Sequence, residues 1–157
     1  MKQEKSKKNK TAAIVFWILT AVAMGLVFFF SSRNADESSL QSGWLLDILN
    51  KIFRNEVLSD FVIRKTAHFT EFAGLCFLFN FSFYYTYGKP KRILSLVLTS
   101  AYAATDEFHQ LFVEGRACQF TDWLIDTAGA LAGLAAFAVI LMIILKIGSS
   151  RTPTPTK

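Results

Sequence analysis

Four long apolar runs, set apart by polar stretches, organise this chain: Thr11 to Phe30, about Ala67 to Tyr87, Ile93 to Val113, and Trp123 to Ile147. At about 1.5 Å per helical residue, about 20 residues cross a hydrocarbon core of about 30 Å. The pattern therefore predicts an all-α membrane protein with four transmembrane helices. Its expected organisation is a basic cytoplasmic tail over residues 1–10, a four-helix transmembrane domain over 11–147, and a disordered cytoplasmic tail over 148–157 that carries Thr-Pro repeats. The spans are joined by an outer loop from Ser31 to Thr66, a tight turn from Gly88 to Arg92, and a short loop from Glu114 to Asp122.

Lys2, Lys5, Lys7, Lys8 and Lys10 before the first run resemble the basic start of a secretory signal. The only Ala-x-Ala, Ala21 to Ala23, lies inside the apolar run, so an uncleaved anchor is expected. Within the outer loop (31–66), Leu40, Trp44, Leu45, Ile48 and Ile52 recur at helical spacing behind Ser38 and Ser39. This predicts an amphipathic helix lying in the outer interface, covering the bundle end or acting as a lid over it.

Composition sharpens the picture only through its distribution. The 52% apolar content modestly exceeds that of ordinary soluble domains, and nearly all of it sits in the four runs. A soluble enzyme with one globular core is excluded. Eleven of the 17 Lys and Arg fall before the first run, in the Gly88 turn or from Lys146 onward, so both termini are expected in the cytoplasm. Only Glu4 of the 12 acids joins them. The inner side thus carries eleven bases against one acid, and the outer side six bases against eleven acids. The basic ends suit anionic lipid headgroups, and no nucleic-acid partner is expected. Cys76 and Cys118 lie at different depths, which argues against a disulfide.

The residues that carry chemistry are those a bilayer should exclude. Arg64, His68 and Glu71 share one helical face, with Lys65 beside them. Asp106, Glu107, His109 and Gln110 end the third run, Asp122 and Asp126 open the fourth, and Arg116 stands in the short loop between them. Counting 1.5 Å per residue places Glu71, Asp106, Glu107 and Asp126 roughly 5 to 10 Å below the outer surface. Each charge costs about 2.5 to 3.5 kcal/mol to insert at mid-membrane, less near the interface, so several must face one another or a wet cavity.

Gln110 can bridge to Asp106 or Glu107, while adjacent carboxylates are expected to diverge, one inward and one toward the interface, a helix partner or a cation. His109 is expected at the interface. Arg116 can hold a carboxylate or phosphate bidentately, or close a loop salt bridge. No His-Glu-x-x-His is present, and Glu107 and His109 point apart, so no metal or other cofactor is expected. Gly129 and Gly133 form a small-residue pair suited to close helix packing, whether on span one, span two or another copy.

These motifs resemble a known family. Lys65-Thr66-Ala67-His68-Phe69-Thr70-Glu71-Phe72 fits the K-x-x-H-F-x-E-[FY] pattern of VanZ-like membrane proteins, and Asp106-Glu107-Phe108-His109-Gln110 fits their D-E-x-x-Q. Phe30-Ser31-Ser32, Arg116, Asp122, Gly129 and Gly133 follow the same pattern, over roughly Ile14 to Leu145. Arg33 and Asp126 depart from it, standing where the family commonly has Gln and Asn. The resemblance implies a multi-pass protein of the bacterial cell membrane, whose namesake is associated with reduced susceptibility to the glycopeptide teicoplanin.

The expectation is a protein that binds a membrane lipid, lipid-linked molecule or lipophilic ligand at the outer leaflet through Arg64, Lys65, His68, Glu71, Asp106, Glu107, Gln110, Arg116, Asp122 and Asp126. The alternative is a membrane enzyme acting on a lipid or isoprenoid, with Glu71, Asp106 or Glu107 as acid or base. A third is a structural subunit whose polar residues only assemble it.

Overall fold

Asn9 opens the first helix, its side chain accepting a hydrogen bond from the Ala12 N–H at 3.1 Å. The computed structural model describes residues 9–33 and 59–149, with Gly43 and Ile48 between them. The described helices are α1 (Lys10–Ser31), α2 (Asp60–Tyr87), α3 (Arg92–Gln110) and α4 (Phe120–Ser149), and no strand occurs among the described residues. The interfacial helix expected over 40–52 lies, apart from Gly43 and Ile48, outside the described residues, as do residues 1–8 and 150–157.

Helix α2 begins seven residues before the start at Ala67 that its apolar run suggests. Ser59 caps it, accepting from the Val62 N–H, and Ile63 is already buried. The helix stops at Gly88, whose φ of 70° lets its N–H reach the Tyr84 carbonyl at 2.8 Å. Helix α3 ends at Gln110 rather than Val113, where the chain turns back through a series of short-range bonds.

The helices run alternately up and down. Trp17 near the start of α1 donates to Thr86 near the end of α2 at 3.1 Å, and Thr20 meets Ser82 at 3.0 Å. Tyr102 of α3 donates to the Met24 carbonyl of α1 at 2.7 Å, and Trp123 of α4 donates to the Ser100 carbonyl of α3 at 3.1 Å. Helix α2 packs most extensively on α4, then on α1. Gly129 and Gly133 make the first contact possible, because both face the α2 backbone at Phe69 and Ala73. Beyond the glycines the interface becomes aromatic: Phe81 meets Phe137 edge-on at 4.9 Å and stacks on Phe16 at 5.0 Å. Phe72, Phe79, Phe81 and Phe83 are core residues.

Helices α1 and α4 are long and apolar enough to cross a membrane. Their outward side chains are apolar, with Ile14, Ile18, Val22, Met142 and Ile144 all exposed. Helix α3 inverts the soluble pattern: Ile93, Val97 and Leu98 face outward, while Ser95, Thr99, Asp106, Glu107 and Gln110 are buried. An amphipathic helix with its polar stripe turned into the bundle is what an apolar solvent selects.

Candidate functional site

The alternation of helices brings the start of α2, the end of α3 and the start of α4 to one end of the bundle. The α3–α4 connection folds over that end. Its turn from Val113 to Arg116 is closed by the Arg116 N–H on the Val113 carbonyl at 3.1 Å. Gly115 holds a φ of 75° there, the positive value that the third position of a type II turn requires. The turn carries Arg116 back toward α2. Its guanidinium is pushed below its ordinary pKa, first by burial and then by the Arg64 charge, against the pull of Asp106, Glu107 and Asp122.

Under this connection lies a cavity of about 130 Å³. Arg64, Lys65 and His68 line it from α2, Gln110 from α3, Arg116 from the connection, and Asp122 from α4. Gly115 and Ala117 of the connection line it too, as do Phe61 and Gln119, neither of which was among the residues that charge or motif pointed to. Phe61 was legible only as part of a helix that begins at Asp60. Lys65 and Asp122 form an ion pair across α2 and α4. Lys65 also sits over the Phe61 ring, 5.1 Å from its centroid.

Four carboxylates belong to the layer behind this wall. Asp106 is buried and accepts from the Gln110 side-chain amide at 3.1 Å, so Gln110 presents one edge to the cavity and one to the acid. Glu107 accepts from the Gln119 backbone N–H at 2.8 Å. The two adjacent acids diverge, yet neither reaches lipid or solvent: Glu107 is only 2% exposed because the connection folds back onto it. Asp126 is fully buried, 3.7 Å from the His68 ring nitrogen, and neither of its oxygens has a hydrogen-bond partner among the described residues. That distance is too long for a hydrogen bond. Glu71 does not line the cavity; it lies half-buried on α2, within electrostatic reach of Asp106 and Arg116.

His109 stands apart from the cluster. Its ring packs on Phe28 at 4.7 Å and its Nε2 meets the Ser32 hydroxyl at 3.1 Å, fastening the ends of α1 and α3 together. Arg33 likewise stays on α1's end, over the Phe29 ring at 4.9 Å. Cys76 is buried and Cys118 exposed, and both are free thiols. Among the described residues no three His, Cys, Asp or Glu side chains converge as a metal site.

The order of these parts is distinctive: a lysine–histidine–glutamate face on α2, an Asp-Glu pair closing α3, an arginine in the connection, and a Gly pair sealing α4 onto α2. The family model described as VanZ/LLP1 matches residues 16–144. The chain belongs to the VanZ/LLP1 family. No curated protein and no solved structure matches it. In VanZ/LLP1 terms, the two sequence patterns meet in space: the histidine of the first lines the cavity, and the acids of the second stand behind it. Family membership and two membrane-length apolar helices together mark a membrane protein. A further polar layer, unmarked by any motif, lies deeper. Asn80, Thr99, Ser95 and Ser82 are fully buried, and Asn80 donates to the Cys76 carbonyl at 2.9 Å. Ser and Thr at four-residue spacing, each bonding back to the preceding turn, were its only sequence signal.

Proposed function

We propose that this VanZ/LLP1 protein spans the bacterial cell membrane four times, with both termini cytoplasmic, and uses the cavity to hold the polar head of a lipid-linked or lipophilic ligand at the outer leaflet. Residues 11–147 are then one membrane domain between two cytoplasmic tails. The outward apolar face of α3, and its length of about 28 Å for 19 residues at 1.5 Å each, support its crossing as well. Even-numbered crossing agrees with the shared side of the α1 start and the α4 end. The topology has a direct test. In intact cells a membrane-impermeant maleimide should label exposed Cys118 and should miss a cysteine placed at Lys89; labelling at Lys89 would reverse the orientation.

The observation that carries the binding reading is the layered site itself. Three basic side chains and an amide surround a small cavity, with buried carboxylates immediately behind them. Such an arrangement holds a polar head by charge and hydrogen bonds, while the surrounding apolar surface accepts a tail. Sequestering a lipophilic glycopeptide, or the lipid-linked wall precursor it targets, would lower susceptibility to agents such as teicoplanin. Arg116→Lys keeps the charge and loses the planar fork, and Glu71→Gln keeps shape and loses charge. Both proteins should reach wild-type abundance in a susceptible strain while protection against teicoplanin falls at least fourfold. Full protection from both at equal abundance would leave the cavity without a role in it.

The enzyme alternative, with Glu71, Asp106 or Glu107 as acid or base, is best supported at Glu107, whose Oε1 is buried without a hydrogen-bond partner among the described residues, as are both oxygens of Asp126. A carboxylate so placed is suited to proton transfer once a substrate reaches it.

A further inference from the structure

Two buried acids decide what the cavity wall offers a ligand. Gln110 donates its side-chain N–H to Asp106 at 3.1 Å, so the group it has left for the cavity is its carbonyl oxygen. His68 stands in a similar relation to Asp126. Its Nδ1 and both oxygens of Asp126 are buried without hydrogen-bond partners among the described residues, and Nδ1 lies 3.7 Å from one of those oxygens. A proton on Nδ1 serves both groups, because a small shift joins them and an unmet buried polar group is costly. In the neutral ring that proton leaves Nε2 as an acceptor, and the 17% of the side chain that stays accessible lines the cavity. The imidazolium form, which pairs with Asp126 as an ion, has no acceptor to offer.

The basic residues of the wall do not reverse this. Lys65 is engaged by Asp122, and Arg64 has interactions of its own. Arg116, also in the wall, supplies donors only. A ligand that meets Gln110 and His68 with donors and accepts from Arg116 must carry both functions together. A hydroxyl does so in one atom. An ammonium accepts nothing and would stand beside the Arg116 charge. An ionised carboxylate accepts from Arg116 but turns lone pairs toward the acceptors of Gln110 and His68.

We infer that the cavity takes a hydroxyl-bearing head, a sugar or polyol carried by a membrane lipid, with Gln110 and His68 as its acceptors and Asp106 and Asp126 as the residues that position them. This rests on the reading of the cavity as a headgroup site and names its ligand class. A free sugar offers the same hydroxyls, so the test has an arm for each source.

The full chain, in nanodiscs of phosphatidylcholine, whose head has no hydroxyl, is titrated calorimetrically against empty nanodiscs. The probes are octyl glucoside below its micelle concentration, its per-O-methyl ether, octylamine and methyl glucoside. Octyl glucoside should bind at least tenfold more tightly than the ether, which keeps the oxygens and loses every donor, because a site built to bond an O–H rejects the analogue lacking it. It should also bind more tightly than octylamine and methyl glucoside. Gln110→Met should weaken octyl glucoside at least fivefold and leave the ether unchanged. A second readout needs no change in the wall. The chain has two histidines, so nitrogen-15 NMR of labelled histidine, assigned with His109→Gln, reads His68 directly. Its neutral ring should carry the proton on Nδ1, which a merely structural histidine need not do. If Gln110→Met does not accumulate, the wild-type titrations and this tautomer decide the matter. Equal binding of glucoside and ether, tighter binding of octylamine, or a proton on Nε2 overturns the inference, and the Arg116→Lys protection assay still tests the headgroup reading by itself. Methyl glucoside binding as tightly as octyl glucoside supports the hydroxyl site and overturns the lipid as its source. Binding of none of the four probes beyond that of empty nanodiscs overturns the inference and the headgroup reading together.

Discussion

Gly133→Ala should deplete the folded protein and lower its thermal midpoint in detergent by on the order of 10 °C, although it adds a single methyl group. A Cβ at Gly133 would fall far inside van der Waals contact of the Ala73 carbonyl oxygen, and would stand 2.7 Å from the carbonyl carbon and 3.0 Å from the Cα. These are backbone atoms of a helix, so no rotamer change relieves them, and α2 and α4 must move apart. Overpacking of this kind costs about 1 to 3 kcal/mol, occasionally more, and here it opens the largest interhelical contact of the bundle. Separation at Gly133 also withdraws Ala130 and Phe137 from their buried positions. Gly129→Ala meets the Phe69 backbone in the same way, one turn earlier. Gly25 and Gly74 provide the control, because a Cβ at either meets nothing within 4 Å. Alanine there should be neutral or stabilising, since glycine costs a helix roughly 1 kcal/mol relative to alanine. A Gly133→Ala midpoint equal to that of Gly74→Ala would show that the two helices do not rely on this close approach.

The existence of that contact was legible in the sequence, but its partner was not. Gly-Ala-Leu-Ala-Gly announces a close neighbour without saying which helix it is, because the rotation of α4 depends on everything else the helix packs against. The same limit runs through the fold. Long apolar runs located all four described helices, since a run of that length has few other uses. The start of α2 was missed by seven residues because Arg64 and Lys65 interrupt the apolar pattern just where the helix carries them into the cavity wall. The information was local: Ser59 caps the helix, and Phe61, Val62 and Ile63 already continue its first turns.

The site divides in the same way. Arg64 could be grouped with His68, and Asp106 with Gln110, from spacing alone, because helical periodicity fixes which side chains share a face. The ion pair of Lys65 with Asp122, 57 positions apart, could not, nor could the fold-back that gives Glu107 the Gln119 N–H. His109 sits inside a charged motif and reads as interfacial; spacing did not show that it ties α3 to Ser32 and Phe28 of α1. The buried stripe Ser95, Thr99, Ala103, Asp106 and Gln110 was available as a period of 3.6 in small and polar residues. It escapes attention when only apolar residues are counted, because in an apolar solvent the meaningful period belongs to the polar ones.

His68→Ala should destabilise the protein by about 3 to 5 kcal/mol, and Asp126→Asn should restore most of that loss in the double variant. Asp126 is fully buried with neither oxygen hydrogen-bonded among the described residues, and the His68 ring nitrogen, 3.7 Å away across α2 and α4, pairs with it as an ion only when the imidazole is protonated. In that protonation state, removing the imidazole leaves a carboxylate in a low-dielectric interior, within electrostatic reach of Glu107, Asp106, Asp122 and Glu71. The cost comes from the stranded charge and not from the lost contact, which at this distance is weak. An amide at residue 126 has nearly the same shape and carries no charge, and it stands where the VanZ-like pattern commonly has Asn. Asp126→Asn alone should therefore be close to wild type or more stable, since it removes a buried acid that has four acidic neighbours. The double-mutant cycle should be strongly non-additive, with Asp126→Asn rescuing His68→Ala. Thermal unfolding in detergent reads all four corners of the cycle. If the double variant is as unstable as the two single losses added together, His68 stabilises the bundle through its packing, and the charge of Asp126 is compensated elsewhere.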